Sequence, residues 1–300
     1  MTVNKIPAGV NKNLLILHFT VFIWGFTGIL GALISIAAVP LVWYRVLIAA
    51  ASLFLYFKFN KTAFKVSRKT FIKLFLTGAL VGSHWIFFFA SIKLATVPVS
   101  LVCLSSITLF TALLEPLINK KSISKLEIIA GLLIITGITL IFKFETQYTK
   151  GIILGLLSAV CASLFSIINS KHVQKNEAPV IAFYELTGAF LLATIFLLCT
   201  HGFNKSMLLK PSDLGYLLLL GTICTSLAYV AGVSVMRELS AFRVALITNL
   251  EPVYGILMSF LFFGDMQKLS AGFWVGAVLI LSTIFLFPVA QSRIRKRSNV

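Results

Sequence analysis

Ten apolar stretches fill this 300-residue chain, and the positive charge between them gathers in alternate gaps. A bilayer core about 30 Å thick is crossed by roughly 20 apolar residues in a helix. Windows of that length place spans at 14–34, 39–57, 70–92, 96–118, 124–143, 150–170, 179–200, 212–234, 241–263 and 269–289. Each is a long apolar run rather than a short alternating segment, so the pattern is helical and not that of a barrel. Only 12% of the residues are charged and 59% are hydrophobic, whereas a soluble domain of this length carries about a quarter charged residues.

The net charge of +17 would suggest a nucleic-acid partner in a soluble protein. Here it reports topology. With the amino terminus in the cytoplasm, nineteen of the 26 Lys and Arg residues fall in inside segments. The densest are the link with Lys58, Lys61, Lys65, Arg68, Lys69 and Lys73, and the tail with Arg293, Arg295, Lys296 and Arg297. Six fall outside: Lys93, Lys143, Lys150, Lys205, Lys210 and Lys268. Arg45 lies within a span. This is a positive-inside pattern with both termini cytoplasmic, expected of a multi-pass protein of the inner (plasma) membrane. No nucleic acid is needed as a partner, and the tail reads as a topology anchor at the lipid surface. The first apolar run is too long for a cleaved leader. Cys103, Cys161, Cys199 and Cys224 all sit in spans without paired-ligand spacing. They read as packing residues, with no metal site expected.

The chain repeats itself. Pro40 opens span two and Pro179 opens span seven, an offset of 139. Gly78 answers Gly221 at 143, Lys93-Leu94 answers Arg237-Glu238 at 144, and Gly131 answers Gly276 at 145. The slow growth is what small loop insertions produce. Glu115-Pro116 and Glu251-Pro252 are 136 apart, break this series and read as chance resemblance. Five spans per half is an odd number, so the halves must be inverted in the membrane, as in many secondary transporters. The expected fold is therefore all-α, with ten transmembrane helices in two inverted five-helix repeats, residues 1–145 and 146–300.

Several segments resemble the drug/metabolite transporter superfamily, in particular EamA-type exporters. Phe22-Ile-Trp24-Gly25-Phe26 in span one is like that family's Trp-Gly pair, and Tyr44-Arg45-Val46-Leu47 is like its Arg-Phe-Leu segment. Asn249-Leu250-Glu251-Pro252-Val253-Tyr254, followed by Phe263-Gly264-Asp265, is like its Leu-Glu-Pro-Val and later Gly-Glu. Departures are Asp265 in place of Glu, Lys120 at the matching place of the first half, and Ile107 where span four would carry Pro. The resemblance implies ten helices, a central cavity between the halves, alternating access, and export of small metabolites, often amino acids.

Glu251 leads the candidate residues. A carboxylate about 15 Å from the inner edge, counting ten residues at about 1.5 Å each, is costly and faces a cavity or a partner. It is a candidate for a substrate-ammonium or proton site, and the first candidate for coupling. Its alternative is a neutral group stabilising a helix kink. Pro252 removes a backbone donor and marks that hinge, and Asn249 adds a polar group. Arg45 and Glu185 are equivalent in the two repeats but sit at mirrored depths, roughly 12 Å apart along the normal, beyond a salt bridge. Arg45, and Glu185 with Tyr184, are candidates for binding or coupling, each as a gate or helix-packing charge on its own side, and for Arg45 the blander expectation is that it snorkels outward. His84 is a candidate proton relay or a packing residue. Trp24, Trp85 and Tyr229 could stack a solute or receive a cation. Ser105, Ser106, Thr108, Thr222, Thr225 and Ser226 offer hydroxyls to a solute or to neighbouring helices, and the pairs Gly78/Gly82, Gly151/Gly155 and Gly272/Gly276 allow close helix approach.

The chain has no Walker-type loop, His-Glu-x-x-His or Gly-x-Ser-x-Gly motif, and no filter sequence. The expected activity is secondary transport of a small solute, driven by its own gradient or by protons, with no cofactor. Uptake on the same fold and a membrane-embedded enzyme acting on a lipid are the alternatives. The expected partners are the solute, the lipid bilayer and protons. Substrate and oligomeric state are left open.

Overall fold

The computed structural model describes residues 12–120, 125–264 and 269–297. Asp265 and Lys268, used above, lie outside them, as do the side chains of Arg295, Lys296 and Arg297.

The described residues form helices joined by short links. α1 (Lys12–Leu33), α2 (Ala38–Asn60) and α3 (Arg68–Leu94) are unbroken. α4 (Val97–Leu104) and α5 (Ile107–Asn119) are two pieces of one span, and α6 (Lys125–Phe144) ends the first half. α7 (Thr149–His172) and α8 (Ala178–Cys199) follow. α9 (Pro211–Gly221) and α10 (Ala228–Val235) are joined through a π-helical turn at Thr222–Leu227. α11 (Ala241–Thr248) and α12 (Leu250–Phe263) are again two pieces, and α13 (Ala271–Arg297) closes the fold.

Local chemistry sets these boundaries. Ser67, Thr96 and Ser240 each accept a backbone N–H of the following first turn, from Thr70, Val99 and Arg243, which satisfies donors the helix leaves open. Pro98, Pro179 and Pro211 stand in first turns, where a missing N–H is harmless. Eight stretches are long and apolar enough to cross a bilayer by length and composition. The apolar runs of the other two, Ile129–Phe144 and Ala271–Phe287, are shorter. Eight spans are therefore present among the described residues. The outer surface carries large apolar side chains fully in the open, such as Leu261 at 83% and Phe59 at 79% exposure. Soluble proteins rarely show such a belt, whereas lipid-facing surfaces do.

The tightest seam joins α3 of the first half to α8 of the second. A Cβ on Gly78 would lie 2.2 Å from the Glu185 carbonyl oxygen, and one on Gly188 would lie 2.3 Å from that of Phe75. Backbone meets backbone at both points. Gly151, Gly155, Gly272 and Gly276 likewise sit where another helix presses close.

The two ends of the bundle differ. At the end holding the α1–α2 link, the buried Asp213 accepts from Ser35 twice, from its N–H at 2.8 Å and its hydroxyl at 2.6 Å. Lys93 donates to the Ile34 carbonyl beside it. These bonds tie both halves to one short link. At the other end, Arg237 bonds the Val173 and Asn176 carbonyls and reaches Glu177 at 3.4 Å, all within the second half. There Glu115 joins the halves by accepting from the Phe242 N–H at 3.2 Å.

Substituting Gly78→Val should cost about 1–3 kcal/mol, the usual cost of overpacking, because the contact below it is backbone that cannot rotate away. Gly215→Ala in α9, where nothing lies within 4 Å, should be neutral or stabilise by about 0.5–1 kcal/mol. Unfolding of the two variants in detergent, followed by the loss of monodisperse protein on heating, measures both.

Candidate functional site

Between the helices lies a cavity of about 80 Å³. One water needs roughly 10–15 Å³ on this measure, so the space suits several waters or a small solute. Of the residues marked in the sequence, Trp24, Arg45, His84, Trp85, Tyr229 and Glu251 line it. They come from α1, α2, α3, α10 and α12. The cavity continues past Phe165 of α7 to Met236 and Val244, toward the α10–α11 link.

Arg45 is 1% exposed and does not snorkel, contrary to expectation. Its guanidinium carbon stands 4.2 Å from the Trp85 ring centroid and 5.3 Å from that of Phe89. A cation over an aromatic face is stabilised there, and more so when desolvated. Nε donates to Thr225 Oγ1 at 2.6 Å. That hydroxyl lies in the π-helical turn and itself donates to the Leu220 carbonyl, five residues back, at 2.6 Å. The turn opens the helix enough to place an acceptor where the arginine needs one. π-turns recur at functional sites for this reason. Nη1 of Arg45 is buried and has no partner.

Glu251 lines the same cavity at 6% exposure, without a hydrogen bond to another described residue. It lies close enough to Arg45 for their charges to interact. Its position follows from a broken helix. α11 ends at Thr248 and α12 begins at Leu250, so Glu251 lies in a first turn. Negative charge is favoured at such an N-terminus. Pro252 also stands in the first turn of α12, and the interruption at Asn249 lies one turn before it, where the missing N–H of Pro252 leaves the Thr248 carbonyl without its usual donor. Asn249 lies outside the cavity lining. Its side-chain nitrogen donates to Thr108 and to the Ala245 carbonyl at 3.0 Å, and its Oδ1 has no partner.

Thr108 stands just past a second interruption, at Ser105–Ser106, that divides α4 from α5. Sequence reasoning assigned one unbroken helix there, and the paired serines were the available signal. Ser105 is spent locally on the Val102 carbonyl at 2.6 Å and does not line the cavity. The interruptions at Ser105 and Asn249 are 144 residues apart, in step with the rising repeat series.

His84 stacks with Phe88 and meets Phe165 edge-on. Its Nδ1 lies 2.8 Å from the Ser158 hydroxyl and 3.1 Å from the Ser158 carbonyl, and the hydroxyl donates back to the His84 carbonyl. Glu185 and Tyr184, neighbours in sequence, part company. Tyr184 points away and donates to the Phe64 carbonyl at 2.9 Å, where it steadies the α2–α3 link. Glu185 is 0% exposed and sits behind the cavity wall, accepting from Tyr229 and from Asn169. Asn169 was missed in the sequence, although a lone amide within an apolar run was a usable signal. Arg45 and Glu185 do not contact each other. None of the described residues forms a His, Cys, Asp or Glu cluster able to hold a metal, and the four cysteines are free.

Residues 11–143 and 149–288 each match the EamA-like transporter family. The uncharacterised transporter YwfM of Bacillus subtilis (strain 168) is 24% identical over 286 residues, covering 91% of this chain and 92% of its own. An uncharacterised transporter of Archaeoglobus fulgidus is 23% identical over 292 residues, covering 94% of this chain and 99% of its own. A crystal structure of a protein 15% identical to this chain superposes with a TM-score of 0.68, covering 95% of this chain and 100% of that one. At that identity the likeness is one of fold.

Thr225→Val should destabilise the protein by about 1.5–3 kcal/mol, because a charged donor loses its buried acceptor. Thr225→Ser keeps the hydroxyl and should lie near wild type. Thermal unfolding of the purified protein in one detergent compares the three.

Proposed function

The chain belongs to the EamA-like transporter family and is a multi-pass membrane protein, and on that premise we propose that it is a secondary carrier exporting small zwitterionic solutes such as amino acids. One observation carries the substrate class. Arg45, whose Nη1 is buried without a hydrogen-bond partner, and Glu251, of opposite charge, line one cavity walled by Trp24, Trp85 and Tyr229. A solute carboxylate would pair with the guanidinium and its ammonium with Glu251. Each bond would replace solvation that burial has removed, which is how a buried charge becomes worth its cost. The cavity volume favours a solute of few atoms.

The architecture proposed is ten spans in two inverted halves, residues 1–145 and 146–300. The double family match and the equivalent breaks at Ser105 and Asn249 support it. With both termini in the cytoplasm of an inner-membrane protein, Asp213, Ser35 and Lys93 close the outer end, and the cavity leads inward past Met236. In export, the solute would load into this cavity from the cytoplasmic side. A lipid-acting enzyme is the weaker reading, because Glu251 has no hydrogen-bonded neighbour to share acid–base work with.

Counterflow in proteoliposomes tests this. Amino acids, simple amines, simple carboxylates and sugars are offered in turn. Solutes with both charges should exchange, and the singly charged and neutral ones should not. Arg45→Gln and Glu251→Gln should each raise KM by about ten- to a hundredfold, since a lost charged contact is worth about 1.5–3 kcal/mol. Equal exchange of sugars and amino acids, or unchanged KM in both variants, would sink the proposal.

A further inference from the structure

One buried carboxylate near the cavity does not line it. Glu185 lies where α3, α7, α8 and α10 meet, at 0% exposure. Its Oε2 accepts from the Tyr229 hydroxyl at 2.7 Å and from Asn169 Nδ2 at 3.0 Å. Asn169 also donates to the Tyr229 oxygen at 3.1 Å, closing a triangle. Oε1 is buried and has no partner. Among charged and titratable groups on the surrounding helices, only Tyr229 touches it. Lys73 and His84 of α3, Arg45 of α2 and His172 of α7 make no contact with it, and the remaining cations of these helices lie at their ends. An isolated carboxylate in such a place is very costly as an ion.

Resting on the carrier reading above, we infer that Glu185 is the proton-carrying group of the transport cycle, leaving Glu251 to the substrate. The proton adds to Oε1, the oxygen without a partner, and neutralises the carboxylate. It comes from water on one side of the membrane and returns to water on the other, so no further reactant is needed. Tyr229 links this event to the cavity. Its hydroxyl bonds Oε2 while its ring lines the cavity and packs edge-on against Trp85 at 5.8 Å, the ring beneath Arg45. A hydrogen bond to a carboxylate is about twice as strong as one to a neutral carboxyl. Loss of the proton therefore tightens the hold on Tyr229, and gain of it releases that hold. The arginine seat feels the difference through Trp85. Glu251, by contrast, opens on the cavity with no hydrogen bond through which to report its charge.

Two measurements separate this inference from the carrier reading. The first needs no substrate. Infrared difference spectra of the full chain in lipid nanodiscs are recorded between acidic and alkaline buffer. A protonated-carboxyl stretch should vanish on alkalinisation in wild type and in Glu251→Gln, be missing in Glu185→Gln, and shift in Tyr229→Phe. A titrating band that persists in Glu185→Gln, or that is unmoved in Tyr229→Phe, overturns the inference. The second uses radiolabelled L-leucine in proteoliposomes. Glu185→Gln should keep exchange at equal pH on both sides and lose accumulation driven by a pH gradient. Accumulation that survives in Glu185→Gln, or that is absent from a wild type that exchanges leucine, overturns it. A wild type that exchanges no solute of the panel contradicts the carrier reading instead, and the spectra then decide the proton site alone. Should Glu185→Gln fail to fold, Tyr229→Phe decides by the band shift.

Discussion

Inside a bilayer the backbone has only the chain itself to bond with. That constraint governs where this fold can be irregular. Its described spans are interrupted at Ser105–Ser106, at the π-helical turn Thr222–Leu227 and at Asn249. The breaks at Ser105–Ser106 and Asn249 are buried, and the π-helical turn turns Thr225 and Ser226 inward while Ile223 and Leu227 face out; buried polar side chains stand at each, Thr108 and Asn249 joined across two broken helices and Thr225 beneath Arg45. The irregularities supply the side-chain acceptors and helix ends that a smooth helix would withhold. Arg45 has its seat because a turn was widened, and Glu251 lies in a first turn because a span was cut.

The buried arginine organises the electrostatics around it. Its guanidinium is held by one hydroxyl, lies over one indole and leaves one nitrogen open. Hydrogen bonding and ring stacking together replace hydration, while the open nitrogen keeps the cation available. Glu251 balances the charge without a locked pair. A closed salt bridge would have emptied the cavity of its chemistry, so an incompletely satisfied pair is what a binding site requires.

Much of this was legible in the sequence, for a definite reason. A polar or large aromatic residue in an apolar span stands out against its background, and six such residues, Trp24, Arg45, His84, Trp85, Tyr229 and Glu251, line one cavity. What the sequence withheld is helical facing. Successive residues are rotated by about 100° on a helix, so Tyr184 and Glu185 could not both face one partner. The first props a link and the second joins Asn169 and Tyr229. Depth alone made Arg45 look able to reach outer water, but its face turns it toward Thr225 and Trp85. The break in the first half was marked only by the adjacent Ser105 and Ser106, which a continuous helix also tolerates. Pro252 drew attention to a hinge that lies at Asn249.

The seam between α3 and α8 behaves mechanically as a fulcrum. Glycine lets each backbone rest on the other at Gly78 and at Gly188, and neither contact contains a side chain able to yield. A joint of that kind resists closer approach and sliding, because neither backbone can give way. Because α3 belongs to the first half and α8 to the second, any rocking of the halves has its axis close to this line. Glu185 contributes the carbonyl on which Gly78 rests, so its carboxyl sits near the axis, where displacement is least.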